Sequence, residues 1–269
     1  MLISSIIFLA LYGAVMGSTH SLWQTLSSAA KLPVLFLATL IICSPTLYFF
    51  NVLFGSNQSL TQNIALTLTA LVIAYLLGSI PTSVWAGRAF HGIDVREHGS
   101  GNAGATNVIR VLGWKTGVPV LIIDIIKGSL AALLPVFFHL ASSGSATLIN
   151  LQILTGLAAI TGHMFPLFAG FRGGKGVATA AGVVIALNPA VSLICLGIFA
   201  LVFILTGIVS VSSMIAGIAF PLVLLVFFET PSLIFRIFSI VIAVSLLVTH
   251  RKNIKRLIRG EEPRLFRKK

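Results

Sequence analysis

Residues 117–140 read GVPVLIIDIIKGSLAALLPVFFHL. A helix needs about 20 predominantly apolar residues to cross the hydrocarbon core of a bilayer. This run supplies them, interrupted by Asp124 and Lys127. The two lie three residues apart and share a helical face. Ionisable groups at membrane depth are costly unless paired, so a structural salt bridge between them is expected. Comparable runs stand at 33–54, 64–86, 149–169, 190–208, 213–228 and 232–249. Shorter apolar stretches at 2–17 and 177–187, the second closed by Asn188-Pro189, bring the expectation to nine membrane segments. The 269-residue chain is 57% hydrophobic and 9% charged, against about a quarter charged in soluble domains. That balance excludes a soluble enzyme and a disordered chain, and it predicts an all-α polytopic membrane protein.

Charge orients the segments. The chain carries 18 Lys and Arg against 6 Asp and Glu. Arg88, Arg96, Arg110 and Lys115 lie within 88–116, Arg172 and Lys175 near 170–176, and nine more follow His250; only Lys31, Lys127 and Arg236 stand elsewhere. The connections near 55–63, 141–148 and 188–190 carry none. By the positive-inside rule the three basic regions, the C-terminus among them, are expected on the cytoplasmic side. Nine spans then place the N-terminus outside. Residues 1–17 lack a basic n-region and read as a retained span rather than a signal peptide. Cys43 and Cys195 show no ligand spacing, and with so few acids no metal site is expected.

The polar residues gather at the cytoplasmic span ends in four clusters. The first runs from Gly78-Ser79-Ile80-Pro81 through Asp94-Val95-Arg96 to Gly99-Ser100-Gly101-Asn102, Gly104-Ala105-Thr106-Asn107 and Arg110. Glycine-rich backbone lets N–H groups converge on an anion. A helix over 103–112 would add its N-terminal dipole and the Arg110 guanidinium fork. The plainer reading is a flexible loop between spans. The second cluster, Gly162-His163-Met164-Phe165 with Phe171-Arg172-Gly173-Gly174-Lys175-Gly176, offers a lysine that either contacts phosphate or marks the membrane boundary. Ser210-Val211-Ser212-Ser213 suits a helix cap as well as a site. His250 and Asn253 share a helix face in a basic, partly amphipathic tail that also suits anionic lipid.

Two look-alikes fail on context. Gly99-x-Gly101-x-x-Gly104 matches the dinucleotide fingerprint, yet no βαβ pattern surrounds it. Gly173-Gly174-Lys175 lacks the earlier glycine and the following Ser or Thr of a P-loop. No nucleophile elbow and no His-x4-Asp pair appear, and the acids are too scattered for an aspartate-rich phosphotransferase site.

Taken together and in order, the four clusters resemble the signatures of the bacterial membrane acyl-phosphate:glycerol-3-phosphate acyltransferases (PlsY), over residues from about 64 to 265. The resemblance implies a seven-helix acyltransferase core with a cytoplasmic active site, and transfer of an acyl group from acyl phosphate to the 1-hydroxyl of glycerol 3-phosphate. No cofactor and no metal are implied. Gly99, Ser100, Gly101, Asn102 and Lys175 would bind acyl phosphate. Arg110, Lys175, Ser213, His250 and Asn253 would bind glycerol 3-phosphate. Asp94, Arg96, Asn107, Gly173 and Gly174 would support them, with His163 or His250 as candidate acid/base. Expected partners are the two substrates, membrane lipid and an upstream acyl-phosphate-forming enzyme, with no nucleic acid. The expected location is a bacterial inner membrane, multi-pass, C-terminus cytoplasmic. Residues 1–63 lie outside the resemblance and form an apolar extension of about two further membrane helices ahead of the 64–269 core. The rival reading is a transporter of a phosphorylated metabolite, for which Gly-broken spans would suit.

Overall fold

The computed structural model describes residues 60–265, with side chains from Asn63 onward. From Gln62 onward they belong to the compact unit Gln62–Lys269. The expected extension over 1–63 lies almost wholly outside the described residues.

Helices are the only regular secondary structure among the described residues. Ten α-helices follow one another: α1 Leu60–Gly78, α2 Thr82–His91, α3 Ala105–Leu112, α4 Trp114–Phe137, α5 Ala146–Met164, α6 Val177–Leu187, α7 Pro189–Thr206, α8 Val209–Phe227, α9 Leu233–Thr249 and α10 Arg251–Ile258. Short 3-10 turns stand at Val95–Glu97 and Leu167–Ala169. Five stretches are long and apolar enough to cross a membrane: Asn63–His91, Trp114–Phe137, Ala146–Ala169, Pro189–Thr206 and Val209–Phe227. α9 and α10 form a sixth if their pair, bent by 57°, is one span. The seven segments expected after residue 63 all stand as helices, and five or six of them are long enough to cross. The 177–187 stretch is a helix of 11 residues, too short to cross by itself. The protein is an integral, multi-pass membrane protein.

Local chemistry explains the breaks. The 64–86 run does not continue as one helix, because Pro81 lacks an N–H and forces the residue before it out of helical geometry. α1 ends at Gly78 and α2 restarts at Thr82. Gly207, at φ 68°, closes α7, and α8 begins at Val209, earlier than the apolar pattern suggested. Asn188 caps α7 by accepting from Val191 N at 3.1 Å.

Lipid tails give helices no hydrophobic reason to associate, so membrane bundles depend on close backbone approach at small residues. A Cβ at Gly78 would overlap the Ala159 carbonyl, and one at Gly162 the Tyr75 carbonyl, so α1 and α5 cross in contact. Gly128 and Gly182 bring α4 onto α6 in the same way, against the Thr179 and Ile125 carbonyls. The main core joins α5 to α9 through Ile153, Val183, Val191, Leu224, Phe235 and Phe238. A smaller core of Val95, Ala105, Val108 and Val120 sits beneath the glycine loop and fixes its base.

Candidate functional site

Four sequence-distant segments build the site. The first is the 92–104 connection. Asp94 pairs with Arg96 at 2.7 Å and with Arg88 at 2.9 Å. Bonding to Arg96 holds the Asp94 carboxyl far below the usual carboxylate range, and Asp94 in turn raises Arg96. Arg96 then reaches across to the second segment, donating from Nη1 to the Ala169 carbonyl at 2.7 Å and the Arg172 carbonyl at 3.2 Å. Gly99 and Gly101 both take left-handed φ, 61° and 71°, which glycine adopts without a Cβ penalty. Asn107, buried at the start of α3, staples this turn. Its Oδ1 accepts from Ser100 N at 2.8 Å and Ser100 Oγ at 3.1 Å. Its Nδ2 donates to Val95 O at 2.8 Å and His98 O at 3.1 Å.

The second segment, 165–176, meets the first directly. Gly173 N–H donates to Met164 O at 3.1 Å and Gly174 N–H to His163 O at 3.2 Å. A Cβ on Gly174 would overlap His163 Nε2 and stand 3.0 Å from the Ala103 carbonyl. The residue after Asn102 thus abuts the residue before Lys175. Gly174 is required here by close approach.

The third and fourth segments are α8 and the α9–α10 tail. Lys175 Nζ donates to Asn253 Oδ1. Asn253 Nδ2 donates to Glu262 Oε1 at 2.6 Å, Ser210 Oγ donates to the same oxygen at 2.8 Å, and Arg256 Nε donates to Glu262 Oε2 at 2.6 Å. Burial acts to raise the Glu262 carboxyl, but these hydrogen bonds prevail and hold it low. Lys175 is pushed down to about 8, first by burial and then by Arg256 and Arg110, with Glu262 opposing. Arg110 is likewise lowered by burial, and its Nε has no protein partner. His250, buried at the α9–α10 bend, bonds through Nδ1 to the Leu246 carbonyl at 2.8 Å. A carbonyl only accepts, so Nδ1 carries the proton and Nε2 of the neutral ring is an acceptor.

The structure therefore brings Arg110, Lys175, His250 and Asn253 into one electrostatic neighbourhood, with the 99–102 loop adjoining through Ala103. Ser213 is buried one turn beyond Ser210 on α8. His163 is buried behind Gly174. Sequence reasoning left Glu262 out of the site, although it organises Asn253, Ser210 and Arg256. It is folded back by the turn at Gly260, φ 71°, which hydropathy does not reveal. Among the described residues no three His, Cys, Asp or Glu side chains cluster as metal ligands.

The helical bundle gathers glycine-lined backbone, a guanidinium nitrogen with no protein partner and a lysine at one rim, the donor types that an anion requires. Residues 68–260 match the family described as Glycerol-3-phosphate acyltransferase, and the chain belongs to that family. It is 45% identical over 222 residues to the glycerol-3-phosphate acyltransferase of Chlorobium phaeobacteroides strain BS1, covering 72% of this chain and 94% of the relative. The Chlorobaculum tepidum enzyme of that name is 46% identical over 222 residues, covering 74% and 96%. Two crystal structures of PlsY (YgiH), described as an integral membrane glycerol 3-phosphate acyltransferase, are also similar. The glycerol 3-phosphate form aligns with TM-score 0.65 at 40% identity, and the lysophosphatidic acid form with 0.62 at 39%; each covers 74% of this chain and 94% of its own.

Proposed function

We propose that this protein transfers a fatty acyl group from acyl phosphate to the 1-hydroxyl of glycerol 3-phosphate, releasing lysophosphatidic acid and phosphate. The reaction takes place at the cytoplasmic face of a bacterial inner membrane. The observation that carries this reading is the contact of Gly174 with Ala103. It joins a glycine-lined loop fit for one phosphate to a lysine that faces a second anion-binding group. Two anionic substrates need two such cradles side by side. Membership of an acyltransferase family favours this reading over transport.

The 99–102 loop takes the phosphate of the acyl donor on its backbone N–H groups and Ser100. Arg110, His250, Asn253 and Ser213 take glycerol 3-phosphate. Lys175, between the two, stabilises charge on both. An acyl phosphate is already an activated mixed anhydride, so positioning and electrostatic stabilisation suffice for much of the rate. The hydroxyl oxygen attacks the acyl carbon, the carbonyl–phosphate bond breaks, and the departing phosphate takes the hydroxyl proton. The neutral His250 ring, with Nδ1–H engaged by Leu246, leaves Nε2 free to accept that proton instead. An enzyme that forms acyl phosphate is the class that supplies the donor.

The test is purified full-length protein in detergent with palmitoyl phosphate and glycerol 3-phosphate, following phosphate and lysophosphatidic acid, with an acyl-CoA control. Product from acyl phosphate alone is expected. Folded protein that makes none from either donor refutes the reading.

A further inference from the structure

Beneath both loops lies a polar node that the acyl-transfer reading leaves without a task. Asp124 and Lys127 of α4 are 2% and 3% exposed and pair at 2.8 Å. Thr82 Oγ1, from the first turn of α2, donates to Asp124 Oδ1 at 2.6 Å. Lys127 Nζ donates to the Ile80 carbonyl at 2.9 Å, beside the Pro81 break. His163 Nδ1, on α5, lies 3.7 Å from Asp124 Oδ1. Its other nitrogen packs against Gly174. On the far side of Gly174 stands the Ala103 carbonyl, which also accepts from Ser83 Oγ at 2.7 Å. A small cleft lined by Thr82, Ala103, Asp124, Lys127, His163 and Gly174 closes the set.

We infer that Thr82, Asp124, Lys127 and His163 are positioning residues that fix the 99–102 loop against the Lys175 segment, His163 acting through Gly174 rather than as an acid or base. This rests on the acyl-transfer reading for its kinetic consequence, not for its geometry. Removing two charges from water costs several kcal/mol per ion even after relaxation. Close packing alone, as at the glycine crossings, would hold these helices more cheaply. What an apolar replacement would lack is directional hydrogen bonding, and here the bonds run from α4 to the α1–α2 break and α2. The His163 ring lies against the same carboxylate and carries the contact into both phosphate loops. His163 Nδ1 faces Asp124 and Nε2 packs against Gly174, so the ring lies between the node and the Lys175 segment.

The decisive pair is Thr82→Val, which keeps shape and removes the hydroxyl, and Thr82→Ser, which restores it. Misplacement on the ångström scale costs up to about 100-fold in rate. The expected result for Thr82→Val is a kcat lowered about tenfold with both KM values within about threefold, since the two cradles persist but lose their mutual alignment. Thr82→Ser is expected to return kcat to within about twofold. His163→Gln is expected to lower kcat while leaving the limbs of the pH–rate profile in place. Hydrogen exchange gives a readout independent of turnover: the Gly173 and Gly174 amides and the 99–104 segment should exchange faster together in Thr82→Val. Wild-type kcat in Thr82→Val overturns the inference, as does equal impairment in Thr82→Ser. A pH limb erased by His163→Gln, or unchanged exchange in both loops, overturns it too. If the wild type itself makes no lysophosphatidic acid, the reaction assignment fails while the exchange experiment still decides the node.

Discussion

Replacing Glu262 with Gln removes one charge and almost no volume. The carboxylate accepts from Asn253 and Ser210 on Oε1 and from Arg256 on Oε2. An amide has one oxygen, so its NH2 must face either Asn253 Nδ2 or Arg256 Nε, donor against donor. An orphaned buried donor costs about 1–3 kcal/mol. Breaking a buried ion pair costs about 3–5 kcal/mol. Glu262 is 1% exposed at its side chain but Arg256 is 32% exposed, so water screens part of the loss and about 2–3 kcal/mol is expected. At the scaling of a domain near this size, that lowers the unfolding midpoint by about 5–10 °C. The charge change also reaches Lys175, for which Glu262 is the opposing anion that keeps its proton on. Lys175 must be protonated to hold an anion, so wild-type kcat/KM for glycerol 3-phosphate should fall as pH rises through about 8. In Glu262→Gln the same limb should fall at lower pH. The assay is kcat/KM for glycerol 3-phosphate across this range, beside thermal unfolding in detergent. A variant with the wild-type midpoint and an unmoved basic limb would refute the role given to Glu262.

Other outcomes follow from the same geometry. Arg110→Ala should leave the protein folded and abolish turnover, and Arg110→Lys should not rescue it, because a point charge lacks the guanidinium fork; steady-state rates and size-exclusion profiles decide this. Asn107→Ala removes the acceptor for Ser100 N and Oγ, and should raise KM for acyl phosphate about tenfold with little change for glycerol 3-phosphate. Gly182→Leu drives a side chain into the Ile125 carbonyl and should prevent recovery of monodisperse protein, whereas Gly92→Ala, where nothing lies within 4 Å, should cost about 1 kcal/mol for its left-handed φ alone.

Much of the architecture was readable because a bilayer imposes a length on apolar runs. The 117–140 run became α4 at Trp114–Phe137, and 232–249 became α9 at Leu233–Thr249. The Asp124–Lys127 pair followed from spacing and the cost of burial. Turn chemistry shifted the boundaries that hydropathy blurred: Pro81 split one run, and Gly207 with the Thr206 hydroxyl, which accepts from Ile208 N at 3.2 Å, started α8 early. The candidate site was legible as four clusters at span ends, but not as a contact map. Arg96 holds the carbonyls of Ala169 and Arg172, and Lys175 meets Asn253 across 78 residues. Such pairings depend on tertiary packing, which hydrophobic periodicity does not encode. Glu262 was left out of the site for the same reason: two adjacent acids in a basic tail, Glu261 and Glu262, read as solvated until a turn buries one of them.

The brevity of α6 has a consequence for the surrounding lipid. Eleven residues rise about 16 Å, roughly half of a hydrocarbon core about 30 Å thick. If α6 starts at the membrane surface, the chain turns at Asn188 and begins α7 within that depth. Its freed polar groups are answered locally, by Asn188 Oδ1 accepting from Val191 N and Ser192 Oγ donating to the Asn188 carbonyl. The bilayer beside this turn is therefore expected to thin, a deformation costing fractions of a kcal/mol per Å of mismatch. Acyl-chain length in the host membrane then becomes a mechanical load on α6, whose first residue follows Lys175-Gly176. A lipid-synthesising enzyme so constructed would feel the thickness of the membrane that its own products build.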